Sequence, residues 1–167
     1  MVIYTFRGDY KNRSSDLLKR ALAAYEAENN NALAPELYHS ISHTGSLWGC
    51  LVSTGRVGFD LQETRDLDCY ALAERFFLPE EAEFVHKNGL DGFYDIWVRK
   101  EACVKYYRTG LMRDIKSFSV VKGGALAASV THRGGTCFLE SFDYCEGVRC
   151  ACASDRPGPR PVIRELP

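Results

Sequence analysis

The chain has no apolar run approaching the roughly 18 residues that a membrane-spanning helix needs. Its start, MVIYTFRGDY, carries neither the basic region nor the apolar stretch of an export signal. It also lacks a surplus of charge: 21 basic residues against 22 acidic ones leave a net charge of -1, which predicts no general affinity for nucleic acid or an anionic membrane. Heptads, clear repeats and low-complexity blocks are missing, and no pair of cysteines has CxxC spacing or fits a zinc pattern. The seven cysteines (Cys50, Cys69, Cys103, Cys137, Cys145, Cys150 and Cys152) are scattered, several of them inside apolar runs where a thiol acts as a small hydrophobe. The expected compartment is a reducing cytoplasm. Proline is scarce until the end, where SDRPGPRPVIRELP holds four of the six. That tail is expected to lie on the surface as a strap or to lack order.

What is present is 167 residues, 46% hydrophobic and 26% charged, a composition that fits one soluble globular domain with a real core. VIYTF at 2–6 is β-rich and reads as a strand. Ser14 or Ser15 is placed to cap a helix through LLKRALAAYEAE that dissolves at 29–31. LYHSISHTG reads as a strand entering a turn, SLWGCLVST as its hairpin partner, and RVGFDLQ as a third strand after a turn at Thr54–Gly55. The texture then becomes helical, with one helix over about 68–78 and a second opened by Pro79. Glu80 and Glu81 sit in the first turn of that second helix, as its dipole prefers. Asn88–Gly89 stops it, and a long helix over roughly 91–108 follows, ended by Gly110. Three strands, around 116–121, 136–142 and 147–153, complete an α+β chain with strands on both sides of a helical middle.

Three short stretches combine residues that chemistry needs. In GRVGFDLQ, strand alternation puts Val57, Phe59 and Leu61 on one face and Gly58, Asp60 and Gln62 on the other. A carboxylate and an amide oxygen side by side suit Mg²⁺, and Gly58 leaves room for a ligand to approach. The same residues also describe an edge strand with a solvated polar face. In WVRKEACVKYYRTGL, Phe93, Ile96, Trp97, Val104 and Tyr107 share a broad apolar arc, with Glu101 at its border and Lys105 just beyond. A surface Glu–Lys pair is the ordinary reading. A half-buried Glu101 beside Trp97 would instead need a metal or a cation to stay charged. Lys100 points about 100° away from Glu101. In SISHTG, a histidine flanked by hydroxyls and a glycine offers several donors to a phosphate, or forms a capped turn.

In order and spacing these three stretches resemble the 4'-phosphopantetheinyl transferases, specifically the Sfp-type. Family members carry an xSHS/T segment, a GxDxE-like strand and a W-(S/T)-x-KE-(S/A)-xxK helix ending in a GxGL-like turn. The resemblance runs from about Leu37 to Val121, about half the chain, and takes in AERFFLPEEAEF and IKSFSVV. It implies a pseudo-twofold pair of α+β lobes with coenzyme A in the cleft between them. The lobes would run to about Ser53 and from about Gly55 to 153. It also implies an enzyme that moves the phosphopantetheine arm of coenzyme A onto a serine of an acyl or peptidyl carrier protein, releasing 3',5'-ADP.

Carried across by position, the resemblance makes Asp60 and Glu101 ligands of Mg²⁺, with Mn²⁺ as an alternative ion. Lys105 would hold the phosphoryl oxygens, and His43 with Ser42 would grip a coenzyme A phosphate. Glu81 falls where the family often has a further acid; it is read either as a helper in deprotonating the incoming serine or as a surface acid favoured by the dipole. Two departures stand out. Gln62 replaces an acid found in many relatives, which predicts weaker Mg²⁺ binding rather than its loss. The segment before Asp60 is also about half as long as in two-lobed relatives, leaving Lys11 and Arg13 as candidates for the 3'-phosphate. A monomer, or a homodimer that completes the shortened cleft, fits the sequence; nucleic acid and membrane are not expected as partners. The competing function is a catalytically idle module that binds coenzyme A or a carrier protein.

Overall fold

A computed structural model gives the structure of the protein and describes residues 1–29 and 36–166. In chain order the elements are β1 (Val2–Arg7), α1 (Ser14–Glu28), β2 (Tyr38–Thr44), β3 (Leu47–Ser53), β4 (Val57–Glu63), α2 (Cys69–Phe76) and α3 (Pro79–Tyr107). They continue with α4 (Leu111–Asp114), β5 (Val121–Lys122), β6 (Ala125–Leu126), β7 (Ser129–His132), β8 (Gly135–Cys145), β9 (Val148–Ser154) and β10 (Val162–Glu165). The class is α+β, as the sequence predicts. Two four-stranded sheets, ordered β10-β1-β3-β2 and β4-β9-β8-β7, carry the architecture, with a small β5-β6 ribbon beside them.

The three apolar clusters explain how these sheets stack. Leu17, Ala21 and Tyr25 of α1 pack on Tyr4, Trp48, Cys50 and Val52, one face of the first sheet. The opposite face presents Ile3, Leu47 and Leu51 to Phe59, Leu61, Cys150 and Cys152 of the second sheet. Ala151, Ala153, Cys137 and Leu139, on the far face of the second sheet, then meet Ile96, Ala102, Cys103 and Tyr106 of α3. The order of layers is thus α1, first sheet, second sheet, α3. This is why LWGCLVS is buried at every position instead of alternating. A strand covered on both faces needs apolar side chains on both. Fully burying a side chain the size of Phe59 contributes about 1.5–3 kcal/mol.

Several local expectations change. Helix α1 starts after Arg13 without a side-chain cap. The Ser14 hydroxyl is instead used by β3, accepting the indole N–H of Trp48 at 3.0 Å. The helix ends at Glu28, Asn29 returns two bonds to the Tyr25 carbonyl, and positions 30 and 31 lie outside the described residues. The stop expected at Asn88–Gly89 holds: Gly89, at φ 63° and ψ -142°, breaks Pro79–Tyr107 into two helical segments that meet at a kink, labelled together as α3. Of the strand expected at 116–121 only Val121 is in a strand, and β6 and β7 are additional. The proline-rich end is also less free than expected. Val162–Glu165 pairs in parallel with β1, Val2 opposite Val162, and so becomes the edge of the first sheet. No described helix is long and apolar enough to cross a membrane.

Candidate active site

Strand β4 borders the second sheet next to β2 of the first, and three side chains close the seam between them. The hydroxyls of Ser40, Ser42 and Thr44 accept the backbone N–H groups of Phe59 (2.9 Å), Leu61 (3.3 Å) and Glu63 (3.1 Å) in turn. Strand periodicity makes this ladder possible: alternate residues of β2 face alternate amides of β4. It also satisfies edge amides that would otherwise be buried without partners. All three hydroxyl residues are buried.

On its other face β4 meets α3. Gly58 is the closest approach: a Cβ there would lie 2.0 Å from the Ala102 carbonyl oxygen and 2.6 Å from the Tyr106 nitrogen. The space read from sequence as room for a ligand is therefore filled by helix backbone. The glycine still serves the site, because it lets α3 sit close enough to place Glu101 and Lys105 beside Asp60.

Asp60 is 5% exposed, and its Oδ1 accepts the Ser42 hydroxyl at 2.7 Å and the Lys105 ammonium at 2.8 Å. Lys105 also donates to the Phe59 carbonyl at 3.0 Å, tying the helix to the strand. Burial pushes the Asp60 carboxyl above its ordinary range; Lys105 and then Ser42 oppose that shift. Glu101 is half-buried, and its carboxyl is also pushed up, first by burial and second by the negative charge of Asp60, with Lys105 pulling the other way. The charge of Asp60 thus raises Glu101 across a half-dry space, an arrangement of acids that could hold a cation. Among the described residues no donor reaches the Glu101 carboxylate within hydrogen-bonding distance.

Gln62 completes this face. Its Nε2 donates to the Thr44 hydroxyl at 3.3 Å and to the Glu63 carbonyl at 3.4 Å. Two carboxylates and one amide make an oxygen donor set of the kind Mg²⁺ takes with several waters. Among the described residues no three His, Cys, Asp or Glu gather as a metal cluster, in keeping with the neutral third member. Beside Gln62 lies a cavity of about 400 Å³ walled by Leu67, Leu72, Phe76, Phe93 and Trp97.

His43 projects from the same end of β2 and is exposed. Sequence reasoning overlooked its neighbour Tyr10, whose ring leans on the imidazole at 5.1 Å between centroids. The Tyr10 hydroxyl lies 3.3 Å from His43 Nδ1 and donates to the Gly45 carbonyl at 3.3 Å. Lys11 and Arg13 are exposed in the loop that follows, Arg13 over the Phe6 ring. Ser42, expected beside His43 on a phosphate, turns the other way: its one hydroxyl proton is on Asp60 and a lone pair is on Leu61.

Glu81 and Lys100 form a separate buried unit. Neither side chain has any exposure, and their charged atoms lie 2.9 Å apart. Glu81 also accepts from the amides of Leu78 and Val120, both at 2.9 Å, so neither oxygen is open to an incoming hydroxyl. Both earlier readings of Glu81, surface acid and helper in proton removal, give way to this buried role. A carboxylate that takes the N-cap amide of its own helix while gripping a lysine 19 residues further along, beyond the kink, leaves no trace in a lone sequence. Arg108, by contrast, is the exposed C-cap of α3, the solvated end of its stripe.

Comparison with known proteins bears on this geometry. Residues 56–153 match the family model described as the 4'-phosphopantetheinyl transferase superfamily. A 4'-phosphopantetheinyl transferase of Bacillus subtilis is 27% identical over 129 residues, covering 74% of this chain and 57% of its own length. The 4'-phosphopantetheinyl transferase Sfp of Bacillus subtilis strain 168 is 26% identical over the same shares. One from Aneurinibacillus migulanus is 23% identical over 124 residues, 71% of this chain and 52% of its own length. The chain therefore spans little more than half the length of these relatives.

Proposed function

The chain belongs to the 4'-phosphopantetheinyl transferase superfamily, and from that premise we propose that it transfers the phosphopantetheine arm of coenzyme A to a carrier-protein serine. The carrier is an acyl or peptidyl carrier protein in its apo form, and the other product is 3',5'-ADP. The observation that carries this reading is the meeting of Asp60, Glu101 and Lys105 on the β4–α3 face, an acid pair with an ammonium on one of its oxygens.

The residues divide the work by charge. Asp60 and Glu101, with the Gln62 amide oxygen, would hold a divalent cation, Mg²⁺ or Mn²⁺, whose contribution there would be to neutralise pyrophosphate charge and polarise the phosphorus under attack. Lys105, 29% exposed, can leave Asp60 for the phosphoryl oxygens where negative charge grows. His43, braced by Tyr10, would face a phosphate at the far end of coenzyme A, with the exposed Lys11 and Arg13 of the loop after Tyr10 as further candidates. The serine oxygen of the carrier bonds to the phosphorus next to the pantetheine as its proton passes to water, and the bond from that phosphorus to the bridging oxygen breaks, that oxygen leaving with 3',5'-ADP. The protein supplies alignment and charge, which is most of what phosphoryl transfer asks. The cavity at Trp97 is mostly apolar, with Arg65 and Asp66 also in its lining, and suits an uncharged part of a substrate. The free state of all seven cysteines supports a reducing, cytoplasmic setting.

The test is to incubate the protein with coenzyme A, Mg²⁺ and several apo-carriers and to weigh the carriers by mass spectrometry. Gain of one phosphopantetheine, abolished by Glu101→Ala, is the expected result. Tight coenzyme A binding with no gain on any carrier would instead favour the idle binding module, for which the neutral Gln62 is the supporting feature.

A further inference from the structure

The three-rung ladder of β2 holds a difference between its rungs. Ser40, Ser42 and Thr44 are equally buried, at 8%, 7% and 6% exposure, and each takes one amide of β4. Among the described residues Ser40 hydrogen-bonds no side chain of the cation site, whereas Ser42 donates to Asp60 and Thr44 receives the amide of Gln62.

We propose that Ser42 and Thr44 are positioning residues for the cation, Ser42 aiming the Asp60 carboxylate and Thr44, with the Glu63 carbonyl, holding the Gln62 amide nitrogen so that its oxygen faces the ion. This rests on the reading of Asp60, Glu101 and Gln62 as cation ligands. The argument for Ser42 is one of hydroxyl stoichiometry. A serine has one proton and two lone pairs. The proton goes to Asp60 Oδ1 and one lone pair to Leu61, so Ser42 has no donor left for a phosphate. Its remaining capacity is to fix the carboxylate rotamer, the service that outer partners give to metal ligands.

Thr44 acts on a ligand that has to be chosen rather than aimed. A glutamine amide has an oxygen that ligates a hard cation and a nitrogen that does not, and the two ends are nearly the same shape. The Glu63 carbonyl can only accept and so draws Nε2, while the Thr44 hydroxyl takes the Glu63 amide on one lone pair and Nε2 on the other. With the nitrogen held there, Oε1 is the end left for the cation. A relative with a carboxylate at this position would need no such selection, since both ends are alike. The threonine thus has a specific task in this chain because the third ligand is neutral.

The ladder supplies its own control. Ser40→Ala, Ser42→Ala and Thr44→Val each remove one rung, so each lowers the melting temperature. Thr44→Ser keeps the hydroxyl. The readout is Mn²⁺ affinity by electron paramagnetic resonance, with coenzyme A present and no carrier, so that no turnover occurs. Ser42→Ala and Thr44→Val should weaken Mn²⁺ by about tenfold or more, while Ser40→Ala and Thr44→Ser leave it within about twofold of wild type. In the Thr44→Val background, adding Gln62→Ala should weaken Mn²⁺ no further. Equal loss in all three ladder variants would reduce the hydroxyls to seam residues and overturn the proposal, as would full affinity in Thr44→Val. Either result leaves the transferase reading standing provided wild type binds Mn²⁺. Absence of Mn²⁺ binding by wild type would overturn both.

Discussion

The ammonium of Lys100 and the carboxylate of Glu81 lie 2.9 Å apart with no solvent exposure on either side chain. Lys100 gives its other protons to the carbonyls of Ile115 and Phe118, at 2.6 and 2.7 Å, so the pair fastens the segment after α4 onto the helix. Removing one partner leaves the other charge buried alone. Glu81→Gln is expected to cost about 3–5 kcal/mol, because an orphaned buried ion is far more expensive than a missing pair. That corresponds to a melting temperature lower by roughly 10 °C. Glu81→Gln with Lys100→Met should recover much of the loss. Thermal melts of the three proteins check this; a Glu81→Gln protein with unchanged melting but no transfer would assign Glu81 to the chemistry instead.

Gly58 carries a comparable burden by having no side chain. Its would-be Cβ meets backbone atoms of α3 at 2.0 and 2.6 Å, which cannot move aside as a side-chain tip can. Gly58→Ala should lower stability by about 3 kcal/mol through overpacking. It should also weaken Mn²⁺, because the helix that carries Glu101 is pushed off the strand that carries Asp60. Calorimetric melts and an Mn²⁺ titration of the same sample test both halves.

The elevation of Glu101 fixes the sign of a pH effect. In the unfolded chain this carboxyl titrates near its ordinary value of 4.5, and in the folded protein it holds its proton to higher pH. The folded state thus binds more protons in between, so stability from this group is full below 4.5 and is lost as pH rises through the elevated value. Glu101→Gln removes the effect. The variant should melt above wild type near neutral pH, with the gap closing on the acid side. Mg²⁺ at about a hundred times its dissociation constant should raise only wild type, by about 2.7 kcal/mol. Melting curves from about pH 4 to 8, with and without Mg²⁺, give the answer.

Gln62→Glu adds one negative charge to the cation's ligands. The expected result is tighter Mg²⁺ binding by about tenfold, ~1.4 kcal/mol, read as a lower half-saturating Mg²⁺ concentration for transfer. An unchanged Mg²⁺ requirement would count against Gln62 as a ligand.

Sequence alone made part of this site legible. The alternation of VGFDLQ correctly separated Phe59 and Leu61, which enter the core between the sheets, from Asp60 and Gln62, which face α3. The helical stripe correctly joined Glu101 to Lys105. What stayed hidden depended on long-range partners. Gly58 signals close approach in any setting, and nothing local says whether a ligand or a helix is approaching. Ser14 has the chemistry of a cap but is claimed by Trp48, 34 residues away. The four residues of β10 read as tail because their partner strand lies at the other end of the chain. The hydroxyl ladder did leave a trace, the alternation of Ser40, Ser42 and Thr44, but that pattern acquires meaning only when the amides of β4 are set opposite it.

One ion shared between strand and helix underlies the whole account, and anomalous X-ray scattering from crystals grown with Mn²⁺ and coenzyme A would locate it outright. The account predicts a single strong peak about 2.0–2.3 Å from oxygens of both Asp60 and Glu101, with the coenzyme A pyrophosphate on its open side. A peak bound elsewhere, or Asp60 and Glu101 turned away from a common ion, would contradict it.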